Sequence, residues 1–133
     1  MRVFLKCQNL MRVLLSIKPE FAEKIFEGTK QYEFRRILFK NPKVHTVIVY
    51  ASAPVSKIVG EFTVEEVLSG GVTDLWNKTK RYAGVSEDYY HGYFKGKNEG
   101  FAIKIKDPKK YSLPVSIQDT FGIRPPQSFQ YLP

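Results

Sequence analysis

The stretch Gly28-Thr29-Lys30-Gln31-Tyr32-Glu33-Phe34-Arg35-Arg36 brings one lysine, one glutamate and two arginines close together. These are side chains that handle anions and base edges. An ammonium offers a compact charge to a phosphate or carbonyl oxygen, and a guanidinium offers a planar fork that holds phosphate bidentately or stacks on a base. A carboxylate can orient both cations or accept from a base amino group. The alternation of Lys30, Tyr32 and Phe34 against Gln31, Glu33 and Arg35 is that of a strand. It sets Glu33 and Arg35 on one face, about 7 Å apart. Gly28 would tighten the preceding turn so that Lys30 and Glu33 project near a helix end. The cluster reads either as a ligand site or as a structural Glu33–Arg35 pair tying the strand to its neighbours.

Further candidates flank it. Ser16 and Lys18 precede Pro19 at the expected start of a helix, where backbone N–H groups favour an anion, although capping explains Ser16 equally well. Tyr50 and Ser52 close a strand, where side chains reach either a cleft rim or the core. Trp76, Tyr89, Tyr90 and Tyr93 could stack bases, but aromatic residues at helical spacing are more often core. Lys78, Lys80, Arg81, Lys95 and Lys97 form either a basic track or solvated helix faces. Glu65 and Glu66 are neighbours on a strand and point to opposite sides, so they form no acid–base pair. The single cysteine, Cys7, and two widely separated histidines, His45 and His91, give no disulfide framework and no metal-ligand spacing. No metal or cofactor is expected.

The elements that must position these residues follow from local pattern. Arg12–Ile17 reads as a buried strand stopped by Lys18-Pro19. Phe21, Ala22, Ile25 and Phe26 then make one apolar helix face, with Glu20 in the first turn and Gly28 as the left-handed stop. Strands are expected at 30–35, 46–51 and 57–64, with Gly60 marking a bulge or a close backbone approach. Ser69-Gly70-Gly71 reads as a loop, and Thr73 as the N-cap of a helix over 74–82. Ser86 starts a second short helix, and a late strand over 100–106 is closed by Pro108. The tail from Phe121 is too apolar for a free end and should pack on the body. The first ten residues look like an extension, because Met1–Leu5 is echoed by Met11–Leu15; residues 2–5 could otherwise be an edge strand, and Met11 the true start. This order does not alternate as a doubly wound sheet does, so an α+β domain over 11–133, with a curved mixed sheet forming a small barrel, fits best.

A chain of 133 residues with 43% hydrophobic content, including ten Phe, eight Tyr and one Trp, carries enough apolar material for one core. The 21 Lys and Arg against 13 Asp and Glu give a net charge of +8, which suits a polyanionic partner or simply solubility. No run reaches the roughly 20 apolar residues of a membrane span, and no signal peptide is visible. The chain therefore reads as cytoplasmic.

Gly28, Lys30, Glu33 and Arg35 fall on the four positions of Gly-x-Lys-x-x-Glu-x-Arg, the signature of the ASCH domain. Leu15-Ser16-Ile17-Lys18-Pro19, Tyr50-Ala51-Ser52-Ala53-Pro54, Val59-Gly60-Glu61-Phe62 and Gly100-Phe101-Ala102-Ile103 also resemble one branch of that family, so the likeness covers about residues 11–132. The resemblance implies a PUA-like fold, a small mixed-sheet β-barrel flanked by helices, with a cleft where the signature side chains converge and a role in binding RNA. Ser16, Lys18, Gly28, Lys30, Glu33, Arg35, Arg36, Tyr50 and Ser52 are then the expected ligand-binding set. The leading expectation is a module for RNA or a nucleotide-like ligand, acting in RNA metabolism or in translational or transcriptional regulation. The rival is an enzyme, since ASCH-like proteins include acetylcytidine amidohydrolases and others linked to RNA cleavage. Lys30 would then be the base, with Glu33 relaying a proton. Two departures weaken the amidohydrolase transfer: the position of Glu33 is Thr in that branch, and Tyr82-Ala83-Gly84 lacks its carboxylate. A third reading is a regulator that binds a protein partner.

Overall fold

The computed structural model describes residues 10–132. The expectations for Cys7, for an edge strand at 2–5 and for the start of the chain fall outside them. Strand β1 (Met11–Ile17) leads into helix α1 (Pro19–Glu27), followed by β2 (Tyr32–Arg35), β3 (Val44–Ala51) and β4 (Lys57–Gly71). Helix α2 (Val72–Thr79), a 3-10 turn (Lys80–Tyr82) and α3 (Glu87–Tyr93) come next, then β5 (Glu99–Val115), α4 (Ile117–Phe121) and β6 (Phe129–Leu132). The strands form one mixed sheet in the order β2-β5-β4-β3-β1-β6, in which only β1 and β3 run parallel. Among the described residues, no helix is long and apolar enough to cross a membrane.

Burial explains the sequence pattern. Val13, Leu15 and Ile17 of β1 enter one core with Ala22 and Ile25 of α1, Val47, Val49, Phe62, Ile103 and Ile105. Leu14, Ile48, Tyr50 and Ile58 point to the other side of the sheet, where Ile117 of α4 and Leu132 of β6 cover them. Strands buried on both faces lose their alternation and read as continuous apolar runs, as Arg12–Ile17 and Val47–Ala51 do. A third cluster joins Phe34 and Ala102 to Leu75, Trp76 and Tyr90 of the two middle helices and to Phe94, which caps the second of them. The apolar tail does pack on the body, with β6 pairing antiparallel to β1.

Three local expectations differ from the structure. Ser69-Gly70-Gly71 is strand rather than loop, paired with Phe101, Gly100 and Glu99. At that crossing Gly100 lets the Phe94 ring lie where a Cβ would sit, 2.4 Å from its nearest atom. Because the strand runs straight into α2, Gly71 is the N-cap, without a side-chain cap bond, and Thr73 lies inside the helix. Pro108 does not end β5. The ladder slips between Glu61 and Thr63, opposite Asp107-Pro108, and Asp107 has a positive φ of 49°. A proline that owes no ladder hydrogen bond is tolerated at such a bulge.

The expected irregularity at Gly60 is present. The register shifts beside it, and an added Cβ would stand 2.4 Å from the Lys109 carbonyl oxygen and 2.5 Å from the Phe26 ring. The hydrogen at this position lets α1 lie on the β4–β5 ladder. Gly60→Ala is expected to cost about 1–3 kcal/mol, because the nearest obstacle is backbone and cannot rotate away. Urea unfolding should show a lower midpoint at unchanged slope; an unchanged midpoint would mean that α1 can lift off freely.

Candidate functional site

The sheet's two edge strands, β2 and β6, are not joined by a backbone ladder. Arg35 at the end of β2 spans the gap. One guanidinium nitrogen donates to the Ser128 carbonyl at 2.8 Å, just before β6, and the other to the Ser16 carbonyl of β1 at 3.3 Å and to Glu33 Oε2 at 3.2 Å. The Ser16 hydroxyl donates to the Pro126 carbonyl at 2.7 Å, fixing the tail from the other side. Nearby, Phe39 packs edge-to-face on Phe129, and the Lys40 and Asn41 backbone N–H groups donate to the Tyr131 hydroxyl. The barrel is thus closed by side chains rather than by strand pairing at this seam.

Beside it opens a cavity of about 430 Å³. Ser16, Ile17 and Lys18 come from the end of β1, and Phe21 from α1. Lys30, Glu33, Phe34, Arg35, Arg36 and Ile37 come from β2 and its flanks. Val85, Tyr89, Tyr90 and Tyr93 come from α3 and the turn before it, and Gln127 and Ser128 from the tail. Four cationic side chains face one carboxylate.

Lys30 is only 2% exposed. Its ammonium donates to the Ala83 carbonyl at 2.8 Å and lies 4.8 Å from the centre of the Phe34 ring and 5.4 Å from that of Phe21. Burial pushes its pKa down to about 8; the Glu33 carboxylate opposes that fall and Lys24 adds to it. Lys24 donates to the next carbonyl, that of Gly84, at 3.2 Å. Gly84 has a φ of +70°, and a Cβ there would strike Lys30 Cβ at 2.4 Å, so this turn can take glycine alone. At this turn the chain presents a backbone carbonyl, that of Ala83, to the lysine.

At the mouth, α3 begins with Ser86, whose hydroxyl accepts from the Tyr89 N–H, and presents Tyr89 and Tyr93 one turn apart. Their rings are nearly parallel, 7° between planes, with centres 6.5 Å apart. Lys18 Nζ lies 5.2 Å from the centre of the Tyr89 ring, and the Arg36 guanidinium 4.8 Å from that of Tyr93. The Tyr93 hydroxyl accepts from the Arg36 backbone N–H at 3.2 Å, and burial raises its pKa.

Of the residues singled out in the sequence, Ser16, Lys18, Lys30, Glu33, Arg35 and Arg36 converge here. Gly28 does not line the cavity; it is the left-handed cap of α1, with φ 87°. Tyr50 is 6% exposed in the core between the sheet and α4, and Ser52 sits in the turn after β3, its N–H bonded to the Ile17 carbonyl. Ser16 does not cap α1, since its hydroxyl is held by the tail. Trp76 and Tyr90 are core, whereas Tyr89 and Tyr93 are rim. Gln127 and Ser128 carried no signal in the sequence, because only the β6 pairing brings them to the site.

A sequence model described as the ASCH domain matches residues 15–109. The chain is 32% identical over 123 residues to an ASCH domain-containing ribonuclease of Zymomonas mobilis, covering 90% of this chain and 82% of that protein. It is 31% identical over 123 residues to the large ribosomal subunit protein uL22 of Ureaplasma parvum, again over 90% of this chain, but it spans only 39% of that relative's length. The fold matches the crystal structure of ASCH from Zymomonas mobilis with a TM-score of 0.81 and 30% identity, covering 92% of this chain and 87% of that one.

Two outcomes test this geometry. Arg35→Ala removes the hydrogen-bonded ion-pair partner of the buried Glu33 and the donor to two carbonyls, and is expected to destabilise by about 3–5 kcal/mol in urea unfolding, with Arg35→Lys recovering part of the loss. A loss below about 1 kcal/mol, the range of a solvated pair, would show the seam to be incidental. Lys30, followed by its side-chain NMR resonance, should titrate near pH 8. Since Glu33 holds that value up, Glu33→Gln should move the midpoint lower; an upward move would contradict the assignment.

Proposed function

Because the chain belongs to the ASCH domain family, we propose that it is an RNA- or nucleotide-binding module whose ligand enters the cleft at the β2–β6 seam. The observation that carries this reading is the make-up of the cavity, in which Lys18, Lys30, Arg35 and Arg36 outnumber Glu33 and aromatic rings fill the space between. Charge of this sign attracts phosphate, and stacking on aromatic faces is how unpaired bases are held. A cavity of about 430 Å³ suits one nucleotide and is too small for a duplex. In this reading Lys18 and Arg36, at the mouth, take phosphates. Lys30 and Glu33 meet polar edges inside, and Ser16 and Arg35 act mainly by holding the walls. Gly28, Tyr50 and Ser52 contribute through the backbone and core that support them. A role in RNA metabolism, or in the regulation of translation or transcription, follows from such binding.

Retention of single-stranded RNA at low ionic strength is the test. Affinity should fall with salt with a slope of about −0.7 per phosphate contacted. Lys18→Ala and Arg36→Ala should each weaken binding and make the slope shallower. If an RNA pool is not retained at low salt, or both variants bind as the parent does, the reading is wrong.

A second reading, ribonuclease, is supported by the Zymomonas mobilis relative and by the depressed pKa of Lys30. A neutral Lys30 amine could take the proton of a ribose 2′-hydroxyl as the 2′-oxygen bonds to the adjacent phosphorus and the P–O5′ bond breaks, the leaving 5′-oxygen taking a proton from water. The two roles respond to pH in opposite directions. Binding through the ammonium weakens as pH rises through about 8, whereas base catalysis strengthens through the same range. Mass spectrometry of single-stranded RNA incubated from pH 7 to 9 decides between them. Products that increase with pH and vanish in Lys30→Met favour cleavage, and intact RNA with retention falling over that range favours binding alone.

A further inference from the structure

The aromatic pair at the mouth is built differently from the cavity below it. Tyr90, Phe34 and Phe94 meet edge-to-face in the core, with ring centres 4.9 to 6.3 Å apart. Tyr89 and Tyr93 instead lie parallel, and Tyr89 is 37% exposed. Each carries a cation over its ring, Lys18 on Tyr89 and Arg36 on Tyr93. A parallel pair with one exposed and one half-buried ring suits a flat partner, and a cation over an exposed ring is held by only about 0.5–1 kcal/mol. Base–aromatic stacking is worth about 1–3 kcal/mol, enough to displace it.

The attachments make that exchange feasible. Tyr93 is held by the backbone N–H of Arg36 and not by its guanidinium, so the side chain can turn to a phosphate while the ring keeps its place. Tyr89 is steadied by an edge-to-face contact with Phe21 at 5.1 Å, independently of Lys18. Lys18 and Arg36 thus shield the rings while both side chains stay exposed enough to turn toward a phosphate.

Resting on the nucleotide-binding reading, we propose that Tyr89, Tyr93, Lys18 and Arg36 form a second nucleotide subsite on the rim. This subsite takes the base and phosphate adjoining the nucleotide held in the cleft, so the preferred ligand is a single-stranded oligoribonucleotide rather than a free mononucleotide. A duplex is rejected because its bases are already stacked and paired and none is available to the rings.

The test compares UMP with the trinucleotide UpUpU, in the full chain at low salt, by NMR titration. The parent is expected to bind UpUpU at least about tenfold more tightly than UMP, the size of one stacking contact. In Tyr89→Leu and Tyr93→Leu that ratio should fall to about threefold or less. Tyr93→Phe keeps the ring and should retain most of it, which separates lost stacking from a disturbed helix, and a circular dichroism melt checks folding of each variant. Equal affinity for UMP and UpUpU in the parent, or an undiminished ratio in both leucine variants, would overturn the rim subsite while leaving the cleft reading standing. No binding of either probe would remove both.

Discussion

The buried Arg35 guanidinium does what a backbone ladder does elsewhere in the sheet. From β2 it reaches across the seam to a carbonyl of β1 and one just before β6, and it pairs with the buried Glu33 carboxylate on its own strand. A ladder of N–H to C=O bonds would seal two strands about 4.8 Å apart and leave no opening. A long side chain carrying several donors joins them at a wider spacing. The opening that results is the cleft. Closure and access come from one residue, which is why its charge is largely committed to the protein and the more exposed cations at the mouth are better placed to meet a ligand.

Lys30 extends the same logic to the inner wall. Its stem fills the hollow that Gly84 leaves, and its ammonium ties the turn before α3 to the start of β2. Removing that charge from water costs several kcal/mol, only partly offset by one carbonyl, two ring faces and Glu33. The lowered pKa has the direction expected of a cation whose desolvation is not fully offset. A merely structural tie could be made by a neutral donor at less cost. The structure instead keeps a desolvated cation at the bottom of an open cavity, where an anion or carbonyl oxygen would meet it without having to displace much water.

Much of this architecture could be read from the residue order. The apolar runs of β1 and β3, the amphipathic face of α1, its glycine stop and the alternation around Glu33 are local signals, and the local structure follows them. The Glu33–Arg35 pair was legible because two residues along a strand share a face. Tyr50 was not, since a strand buried on both sides gives no cue to which side is the cleft. Proline at a bulge and glycine within a ladder read as breaks, because their sanction lies in the partner strand: Phe62 opposite Asp107-Pro108, and Gly100 opposite Gly70. The tail was legible as packed, but not where, for its place is set by Arg35 and Ser16 more than a hundred positions upstream in the case of Ser16. Tyr89 and Tyr93 share their helix with the core residue Tyr90, and periodicity alone does not say which side of so short a helix faces water.

The division of charge between floor and rim has an energetic consequence. Lys18 and Arg36 stand in solvent, where a Debye length of about 8 Å at physiological salt weakens attraction to distant phosphate and makes capture sensitive to ionic strength. Lys30 and Glu33 lie where water is scarce, so a hydrogen bond made there is stronger and one left unmade is more costly. Affinity for any polyanion can therefore arise at the rim, while discrimination among base edges can arise only on the floor. In the proposed binding mode, a nucleotide that stacks but presents the wrong edge would exclude water from Glu33 and Lys30 without adding to the bonds they already make with Arg35 and the Ala83 carbonyl, a penalty the rim cations do not offset because their gain is the same for every base. In the proposed reading, selectivity would thus rest on the two buried groups, Lys30 and Glu33, rather than on the rim cations.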